Sequence, residues 1–253
     1  MTEDITPVEV VVCVLSQNRS DVSKKFLEHF YQHTPSDRCH IIWIDNGSTD
    51  DTADLLSQYK EEKDNFTVVF SDKNLGVIGG RNKGFEIFLG EDGPSGSNIC
   101  FLDNDQYVQE GWLKQHLAVL NRGYDLIGVE AWQMSPTFLP VHKCQRLNEW
   151  FTYVGCGGSL MRKEVPEKIG IYDERFNPSY FEDPDLVLRA HQSGFRIGWN
   201  FKARIIHVPH QTLGDAKDKN ERFVRSLQRF RDKWKRYNAP RMTQRRLPEF
   251  DGS

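Results

Sequence analysis

Two carboxylates separated by one residue carry the clearest chemical potential in this sequence. Asp103-Asn104-Asp105 directly follows the apolar residues 99–102, which predict a short buried strand. On an extended backbone, positions two apart point to the same side, so both carboxylates are expected to face one point. Like charges this close are costly unless a cation lies between them, and oxygen ligands favour Mg²⁺ or Mn²⁺. The pattern predicts a divalent metal site, with an acidic turn that closes the strand as the alternative.

A second acidic cluster, Glu182-Asp183-Pro184-Asp185, precedes a helical pattern. Asp183 suits a helix N-cap and Pro184 suits a first helical residue. A carboxylate at a helix start beside a cleft is also a candidate general base. Capping requires only Asp183 and leaves Glu182 unexplained. The two roles are compatible, and the sequence leaves both open.

His207 ends the apolar run 203–206 and is a candidate metal ligand. A histidine at a strand end offers an imidazole nitrogen that can complete the coordination of a metal held by carboxylates. A lone histidine with a purely structural role is the alternative.

Residues 74–84 are rich in glycine and lead into a helical pattern. Glycines allow the backbone to approach a ligand, and a helix N-terminus favours a phosphate. Arg81 and Lys83 are placed to meet the charge of a diphosphate. The stretch is neither a P-loop nor G-x-G-x-x-G, which disfavours kinases and Rossmann dehydrogenases. A flexible turn is the alternative.

The elements that must position these residues follow an alternating strand and helix pattern. The apolar runs that predict the first strands are residues 8–15, 40–44, 66–70 and 98–102. This order predicts an open parallel α/β sheet, which binds ligands at the carboxyl ends of its strands. Polar clusters at 16–19, 45–50 and 103–105 come directly after three of these strands. The second half is less regular, and residues 130–150 are predicted to be rich in loops.

Composition narrows the class of protein. The chain has 253 residues, enough for one domain, and 12% aromatic residues supply ample core material. The mean hydropathy of -0.61 and the lack of a long apolar run exclude a membrane span. The acidic N-terminus does not resemble a signal peptide. Five cysteines without a C-x-x-C pair predict neither a disulfide framework nor a zinc site, and favour a reducing cytoplasm.

The net charge of -3 conceals a basic C-terminal segment. Residues 217–246 hold twelve Lys or Arg and three Asp or Glu, whereas the remaining chain holds 21 basic and 33 acidic residues. Within the segment, apolar side chains recur every three or four residues and predict an amphipathic helix; they are Phe223, Leu227, Phe230, Trp234 and Tyr237. Three interpretations remain open: the stripe packs on the body, or the helix contacts an anionic membrane surface, or it contacts a nucleic acid backbone.

Taken together, the motifs resemble the inverting, metal-dependent glycosyltransferases of family 2, which have the GT-A fold. The resemblance covers roughly residues 8–210, and its motifs occur in the family's order. They are Ser16-Gln17-Asn18-Arg19, residues 45–50, residues 74–84, Asp103-Asn104-Asp105, residues 157–159, residues 182–186, Arg189, Gly194 and His207. The resemblance implies an α/β domain at 1–212 with a mostly parallel central sheet flanked by helices. Residues 8–106 would form its nucleotide-binding half, residues 107–212 its acceptor and catalytic half, and residues 213–253 a basic helical extension.

The resemblance also implies roles for single residues. Asp183 is the expected general base, with Glu182 beside it. Asp105 is the expected principal metal ligand, with His207 and Asp103 as further ligands of Mn²⁺ or Mg²⁺. The residues expected to bind the nucleotide sugar are Ser16, Asn18, Arg19, Asp45, Asn46, Ser48, Asn74, Gly76, Arg81, Asp103, Asn104, Gly158 and Trp199. Trp199 and Tyr180 are expected to offer faces on which a sugar stacks.

The implied activity is transfer of a sugar from a nucleotide sugar, expected to be a UDP-sugar, to an acceptor hydroxyl. The acceptor is a glycan, a lipid-linked saccharide or another hydroxyl compound, and the expected location is the cytoplasm, including the inner membrane face. Three alternatives remain. They are a glycosyltransferase acting on modified DNA bases, a nucleotidylyltransferase, and a non-catalytic module that binds nucleotide sugars. Nucleotidylyltransferases carry a basic glycine-rich signature next to the first strand, which residues 16–20 lack.

Overall fold

A computed structural model describes residues 8–208 and 216–244. Its strands are β1 Val8–Ser16, β2 Cys39–Asp45, β3 Phe66–Phe70, β4 Gly96–Asp103, β5 Gln106–Val108, β6 Leu126–Gly128, β7 Ala131–Met134, β8 Pro140–Lys143, β9 Tyr153–Val154, β10 Ser159–Arg162, β11 Ile197–Trp199 and β12 Ile205–His207. Its α-helices are α1 Ser20–His33, α2 Thr52–Glu62, α3 Gly76–Leu89, α4 Trp112–Leu120, α5 Glu164–Ile169, α6 Glu182–Gln192 and α7 Ala216–Trp234.

The central sheet has the strand order β11-β6-β10-β4-β1-β2-β3. Strand β1 runs parallel to β2 and β4, and β2 runs parallel to β3. Strand β10 is antiparallel to β4 and β6. The mostly parallel α/β sheet predicted from the sequence is therefore confirmed, and the carboxyl ends of β1, β2 and β4 meet at one edge.

Both faces of the sheet are covered, which explains why its strands read as continuous apolar runs. In β1, Val11 and Cys13 face the core beneath α3, while Val10, Val12 and Val14 face the core beneath α1. All five side chains are buried. Burial on both faces holds the polar strand ends in fixed positions at the sheet edge.

Two glycines of the 74–84 stretch serve packing of the helix on the sheet. A Cβ atom on Gly80 would overlap the side chain of Leu15, and one on Gly84 would overlap Cys13 Sγ. These glycines let α3 lie close against β1, so the prediction that the glycines admit a ligand is wrong for them. Gly76, at the start of α3 and with a φ of 76°, lies at the sheet edge.

Residues 130–150 contain more strand than the sequence predicted. Strands β7 and β8 form an antiparallel pair in which Trp132 lies opposite Lys143, and β7 also pairs with β9. The exposed side chains of β8 hide the alternation that identifies a half-buried strand. This three-stranded sheet forms one wall near the start of α6.

The basic helix α7 packs on the body of the protein. Leu227, Phe230 and Trp234 are buried, whereas Tyr237 is half exposed. The ring of Phe230 contacts those of Phe138, Phe176, Phe181 and Trp234. The packing interpretation of the aromatic stripe is therefore confirmed for its buried members. Residues 213–215 and 245–253 of the predicted extension lie outside the described residues.

Candidate active site

A cavity of about 790 Å³ opens where β1, β2 and β4 end. Ten of the sequence-predicted site residues line it: Ser16, Arg19, Asn46, Asn74, Gly76, Arg81, Asp103, Asn104, Asp105 and His207. The sheet topology brings these distant segments together, as the position of the polar clusters after their strands predicted. We call this space the donor cavity, after the donor site that the resemblance implies for these residues.

Side-chain amides tie the rim of the donor cavity together. The Asn46 backbone N–H donates to Ser16 O at 2.8 Å, which links the ends of β1 and β2. The Asn46 side chain donates to Asn74 Oδ1 at 3.0 Å and accepts from the Leu75 N–H at 2.8 Å. Asn74 Oδ1 also accepts from the Gly76 N–H at 2.7 Å, so the start of α3 is fixed to the strand ends.

Three predicted nucleotide contacts lie beside the donor cavity and bond with their neighbours. Asp45 is 3% exposed and accepts hydrogen bonds from the Ser48 backbone and hydroxyl. Ser48 Oγ accepts from the Asn18 N–H at 2.7 Å, and Asn18 Oδ1 accepts from the Thr49 N–H at 2.7 Å. These bonds hold the two strand-end loops together. Direct contact of Asp45, Ser48 and Asn18 with a nucleotide stays a prediction.

Two further predicted contacts lie within the fold. The Gly158 N–H donates to Phe101 O at 2.7 Å, and its carbonyl accepts from His116 Nε2 at 2.9 Å. The Trp199 indole is 2% exposed and donates to Val129 O at 3.1 Å. The prediction that Trp199 stacks on a sugar is therefore wrong, because its ring is already covered.

Arg81 joins the two acidic clusters. Its guanidinium is buried and lies 3.0 Å from Asp103 Oδ1 and 3.4 Å from Asp183 Oδ1. Burial disfavours the charge on Arg81, but Asp103, Tyr172 and Asp183 outweigh it and raise the Arg81 pKa well above the ordinary value. Asp183 Oδ2 also accepts from the Cys156 N–H at 3.0 Å, so its carboxylate has one fixed orientation. The Tyr172 hydroxyl lies 3.4 Å from Asp183 Oδ1.

The capping role predicted for Asp183 is wrong. Helix α6 begins at Glu182, follows Phe181 with a φ of 68°, and has no side-chain cap hydrogen bond. The Asp183 carboxylate instead turns toward Arg81. Glu182 Oε2 is buried without a hydrogen-bond partner in the part of the chain that the structure describes. Burial, together with the charge of Asp183, raises the pKa of Glu182 to about 8.

The extended backbone predicted for residues 103–105 is wrong, whereas a common point for the carboxylates of Asp103 and Asp105, which both line the donor cavity, stays a prediction. Strand β4 ends at Asp103, and the chain turns at residues 104–105 before β5. Asp103 therefore faces Arg81, whereas Asp105 lies 3.4 Å from His207 Nε2. The hydrogen bond to Asp105 raises the pKa of His207. Asn104 donates to Ser23 Oγ at 3.1 Å.

Across residues 8–208 and 216–244, no group of three or more His, Cys, Asp or Glu side chains is arranged to hold a metal. Asp105 and His207 remain as a neighbouring pair of donors. The pairing of β12 with β5 creates this pair, because it sets His207 opposite Gln106. Asp103 is engaged by Arg81, so its assignment as a ligand stays a prediction.

Sequence reasoning missed one wall of the donor cavity. Asn177, Pro178, Ser179 and Arg222 line it, although the sequence assigned them no role. Arg222 belongs to α7, and a basic amphipathic pattern does not reveal which part of the fold the helix meets. Ser226, one turn further along α7, donates to Ser179 O at 3.1 Å and fixes the helix to this wall.

Asp183 lines a second, smaller cavity of about 180 Å³. The aromatic side chains of Tyr153, Tyr180, Phe181 and Phe223 line it, together with the carboxylates of Glu182 and Asp183. Phe223 follows Arg222 in α7, so adjacent residues of one helix line both cavities. We call this space the aromatic cavity.

Comparison with protein families decides the classification. The model of the family described as glycosyl transferase family 2 matches residues 11–176, which is more than half of the chain. The chain belongs to this family. The matched segment includes the donor cavity's strand ends, and it ends before α6 and α7.

Two curated relatives are similar in sequence to part of this chain. Glycosyltransferase AglE of Haloferax volcanii is 28% identical over 130 residues, which cover 51% of this chain and 40% of that protein. The poly(ribitol-phosphate) beta-glucosyltransferase of Bacillus spizizenii is 30% identical over 103 residues, which cover 40% of this chain and 15% of that protein. The matches thus span less than half the length of these relatives.

Solved structures support the fold. A mannosyltransferase from Pyrobaculum calidifontis, in complex with GDP-Man and Mn²⁺, superposes with a TM-score of 0.67 at 15% identity, covering 94% of this chain and 68% of that one. GalNAc-T7 with UDP, GalNAc and Mn²⁺ superposes with a TM-score of 0.71 at 14% identity, covering 90% and 48%. TarS of S. aureus with UDP-GlcNAc reaches 0.61 at 18% identity, covering 85% and 64%. This chain therefore has the GT-A fold that its motifs predicted.

Proposed function

We propose that this chain is an inverting glycosyltransferase that moves a sugar from a UDP-sugar to an acceptor hydroxyl, with Asp183 as the general base. The observation that carries the proposal is the position of Asp183. Its carboxylate borders the aromatic cavity, while Arg81 connects it to Asp103 in the donor cavity. A base between a donor site and a second site suits direct displacement.

The donor class is supported by the family and by the structural neighbours. TarS and GalNAc-T7 hold UDP compounds, and the Pyrobaculum enzyme holds GDP-Man, in the same fold. The donor cavity supplies polar amides and the cations Arg19, Arg81 and Arg222, a composition that suits a nucleoside diphosphate. We assign the nucleotide to this cavity.

In the proposed step, the acceptor O–H gives its proton to the Asp183 carboxylate while its oxygen bonds to the anomeric carbon. The bond from that carbon to the diphosphate oxygen breaks, and its electron pair leaves with the nucleoside diphosphate. Asp183 can take the proton because its orientation is fixed by the Cys156 N–H and Arg81. One displacement inverts the configuration at the anomeric carbon.

Asp105 and His207 would hold a divalent cation, Mn²⁺ or Mg²⁺. Their oxygen and nitrogen donors lie 3.4 Å apart at the edge of the donor cavity, which fits an ion that takes its other ligands from phosphate and water. A bound cation would stabilise the negative charge that develops on the leaving diphosphate. Asp103 lies nearby but is paired with Arg81.

Incubation with a panel of UDP- and GDP-sugars and Mn²⁺ tests the proposal. We expect one matched donor to raise the melting temperature by mass action and to release its nucleoside diphosphate. Release of pyrophosphate from a nucleoside triphosphate and a sugar phosphate would instead indicate nucleotidylyl transfer. Donor binding without any release would indicate a non-catalytic module.

The exposed side of α7 supports contact with an anionic membrane surface. Arg225 of α7 is exposed, as are Lys235 and Arg236 directly after it, while Leu227, Phe230 and Trp234 are packed inward. Within the described residues, no helix is long and apolar enough to cross a membrane. Binding would then be electrostatic, and co-flotation with phosphatidylglycerol vesicles should fall as salt rises. A salt-sensitive DNA shift without flotation would favour nucleic acid instead.

A further inference from the structure

The hydroxyl of Tyr172 is a buried group that the proposed displacement does not use. It donates to Asp183 Oδ1 at 3.4 Å, and the residue is only 2% exposed. Arg81 lies 3.4 Å from the same carboxylate oxygen, and the Cys156 N–H donates to the other oxygen at 3.0 Å. Tyr172 lines neither the donor cavity nor the aromatic cavity, so it can affect a substrate only through another residue.

Helix α3 holds the backbone of Tyr172. The Asn82 side chain donates to Tyr172 O at 3.0 Å, and its Oδ1 accepts from the Tyr172 N–H at 2.9 Å. One amide thus satisfies both backbone groups of a residue 90 positions away, and buried backbone groups require such partners. Asn82 directly follows Arg81 in α3. Adjacent residues of one helix therefore bring two donors to Asp183 Oδ1, because Arg81 donates itself and Asn82 holds the residue that carries the hydroxyl.

The ring of Tyr172 is held by the aromatic core. Its centroid lies 5.7 Å from that of Phe85 and 6.0 Å from that of Phe101, and the guanidinium carbon of Arg81 lies 6.0 Å from it. A phenylalanine would fill the same space, so packing explains the ring but not the hydroxyl. A buried hydroxyl costs free energy unless it is hydrogen-bonded. The bond to Asp183 is therefore what a tyrosine adds over a phenylalanine at this position.

The Tyr172 hydroxyl keeps its proton. Burial, the nearby Cys156 thiol and the Asp183 carboxylate raise the pKa of Tyr172 well above its ordinary value, although Arg81 acts in the opposite direction. A protonated hydroxyl is a donor, as a carboxylate requires of its partners. The Asp183 carboxylate thus has three donors, each on a group that is itself packed in place: a hydroxyl, a guanidinium and a backbone N–H.

We propose that Tyr172 is a positioning residue and that its hydroxyl holds the Asp183 carboxylate in the orientation that takes the acceptor proton. This inference rests on the proposed function, because it assigns the base to Asp183. A base that is held in the productive geometry need not be oriented in each turnover. Since Tyr172 lines neither cavity, loss of its hydroxyl should slow the chemical step and leave donor binding unchanged.

Steady-state kinetics of Tyr172→Phe test the positioning role. The full chain is incubated with Mn²⁺ and UDP-glucose, UDP-galactose, UDP-N-acetylglucosamine or UDP-N-acetylgalactosamine, and released UDP is measured with water as the acceptor. We expect kcat to fall by roughly 10- to 100-fold, the size of effect that small misplacements of reacting groups have. The KM for the donor, the UDP affinity by calorimetry and the melting temperature should stay unchanged. Tyr31→Phe is the matched control, because it removes a hydroxyl that donates to Asn65 Oδ1 at 3.3 Å, outside both cavities.

The Asp183→Asn variant supplies a second comparison. Adding Tyr172→Phe to it should leave the residual UDP release unaltered, because the hydroxyl acts through the carboxylate. An unchanged kcat in Tyr172→Phe alone would overturn the inference, as would a fall that is accompanied by weaker UDP binding or repeated in the Asp183→Asn background. If Asp183→Asn released UDP as fast as the wild type, or the wild type released none, the proposed function would be rejected instead, and the positioning role with it.

Discussion

The two cavities that the Arg81–Asp183 ion pair connects are built in different ways. The donor cavity collects the ends of β1, β2 and β4, which a parallel sheet brings to one edge. The aromatic cavity collects side chains from β8, β9, the start of α6, and α7, which lie far apart in the sequence. The first arrangement follows from the topology of the sheet, whereas the second depends on how late elements pack on it. The family match covers residues 11–176 and so includes most of the donor side, but it stops before Asp183 and α7.

Replacing the proposed base, Asp183, is expected to have the largest effect, because sugar transfer should fall while UDP binding in the donor cavity stays unchanged. Asp183→Asn keeps the shape of the side chain but cannot accept the proton from an acceptor hydroxyl. We expect the turnover of sugar transfer to fall by about 10³-fold, within the range that general bases contribute. The melting temperature and UDP affinity should change little. Asp64→Asn, at an exposed position in the turn after α2, is the matched control. Retention of most turnover in Asp183→Asn would reject the base assignment.

The sequence predicted the donor side well because periodicity and strand ends are local signals. Strand β3 has the predicted limits, 66–70, and the polar clusters after β1 and β4 line the donor cavity. The turn at residues 104–105 was not predicted, because the alternation of apolar and polar residues does not specify where a strand ends in a turn.

The remaining errors share a tertiary cause. Trp199 lies in a short strand, and no local pattern indicates that its ring is covered. Arg222 carries the same charge as its neighbour Arg225, yet of the two only Arg222 lines the donor cavity. The packing of α7 decides both the site and the burial of its aromatic stripe, and no pattern within the helix specifies its partner.

Phe230 tests whether α7 belongs to the body that holds both cavities. Its ring is fully buried between Phe138, Phe176 and Phe181. Phe230→Ala should therefore lower the free energy of unfolding by about 3–5 kcal/mol, measured by urea denaturation. Val224→Ala removes an exposed apolar side chain from the same helix and should cost less than about 0.5 kcal/mol. Equal effects of the two substitutions would mean that α7 is an independent appendage.

Replacing Asp105 tests the donor cavity alone. The metal proposal assigns Asp105 and His207 as the protein ligands, so Asp105→Ala should abolish the gain in UDP affinity that Mn²⁺ gives to the wild type. Loss of residues that merely support metal ligands typically costs about 10–100-fold in metal affinity, and a direct ligand should cost at least as much. Titration calorimetry with and without Mn²⁺ measures the gain. Asp125→Asn, outside both cavities, is the control, and an unchanged gain in Asp105→Ala would contradict the site.

Glu182 gives the smallest and most specific test of the aromatic side. Burial, with Asp183 beside it, raises the Glu182 pKa from 4.5 to about 8, so folding favours the protonated acid. The stability that this preference contributes is fully present below the unfolded-state pKa and is lost as pH rises through the folded-state value. A glutamine amide does not ionise, so Glu182→Gln should gain stability relative to the wild type between about pH 5 and about pH 9. Urea denaturation across this range measures the difference, with the exposed Glu61→Gln as the control. Parallel pH profiles for wild type and Glu182→Gln would mean that the Glu182 carboxylate is not held in an apolar setting, and the contrast between the two cavities would then rest on the aromatic rings alone.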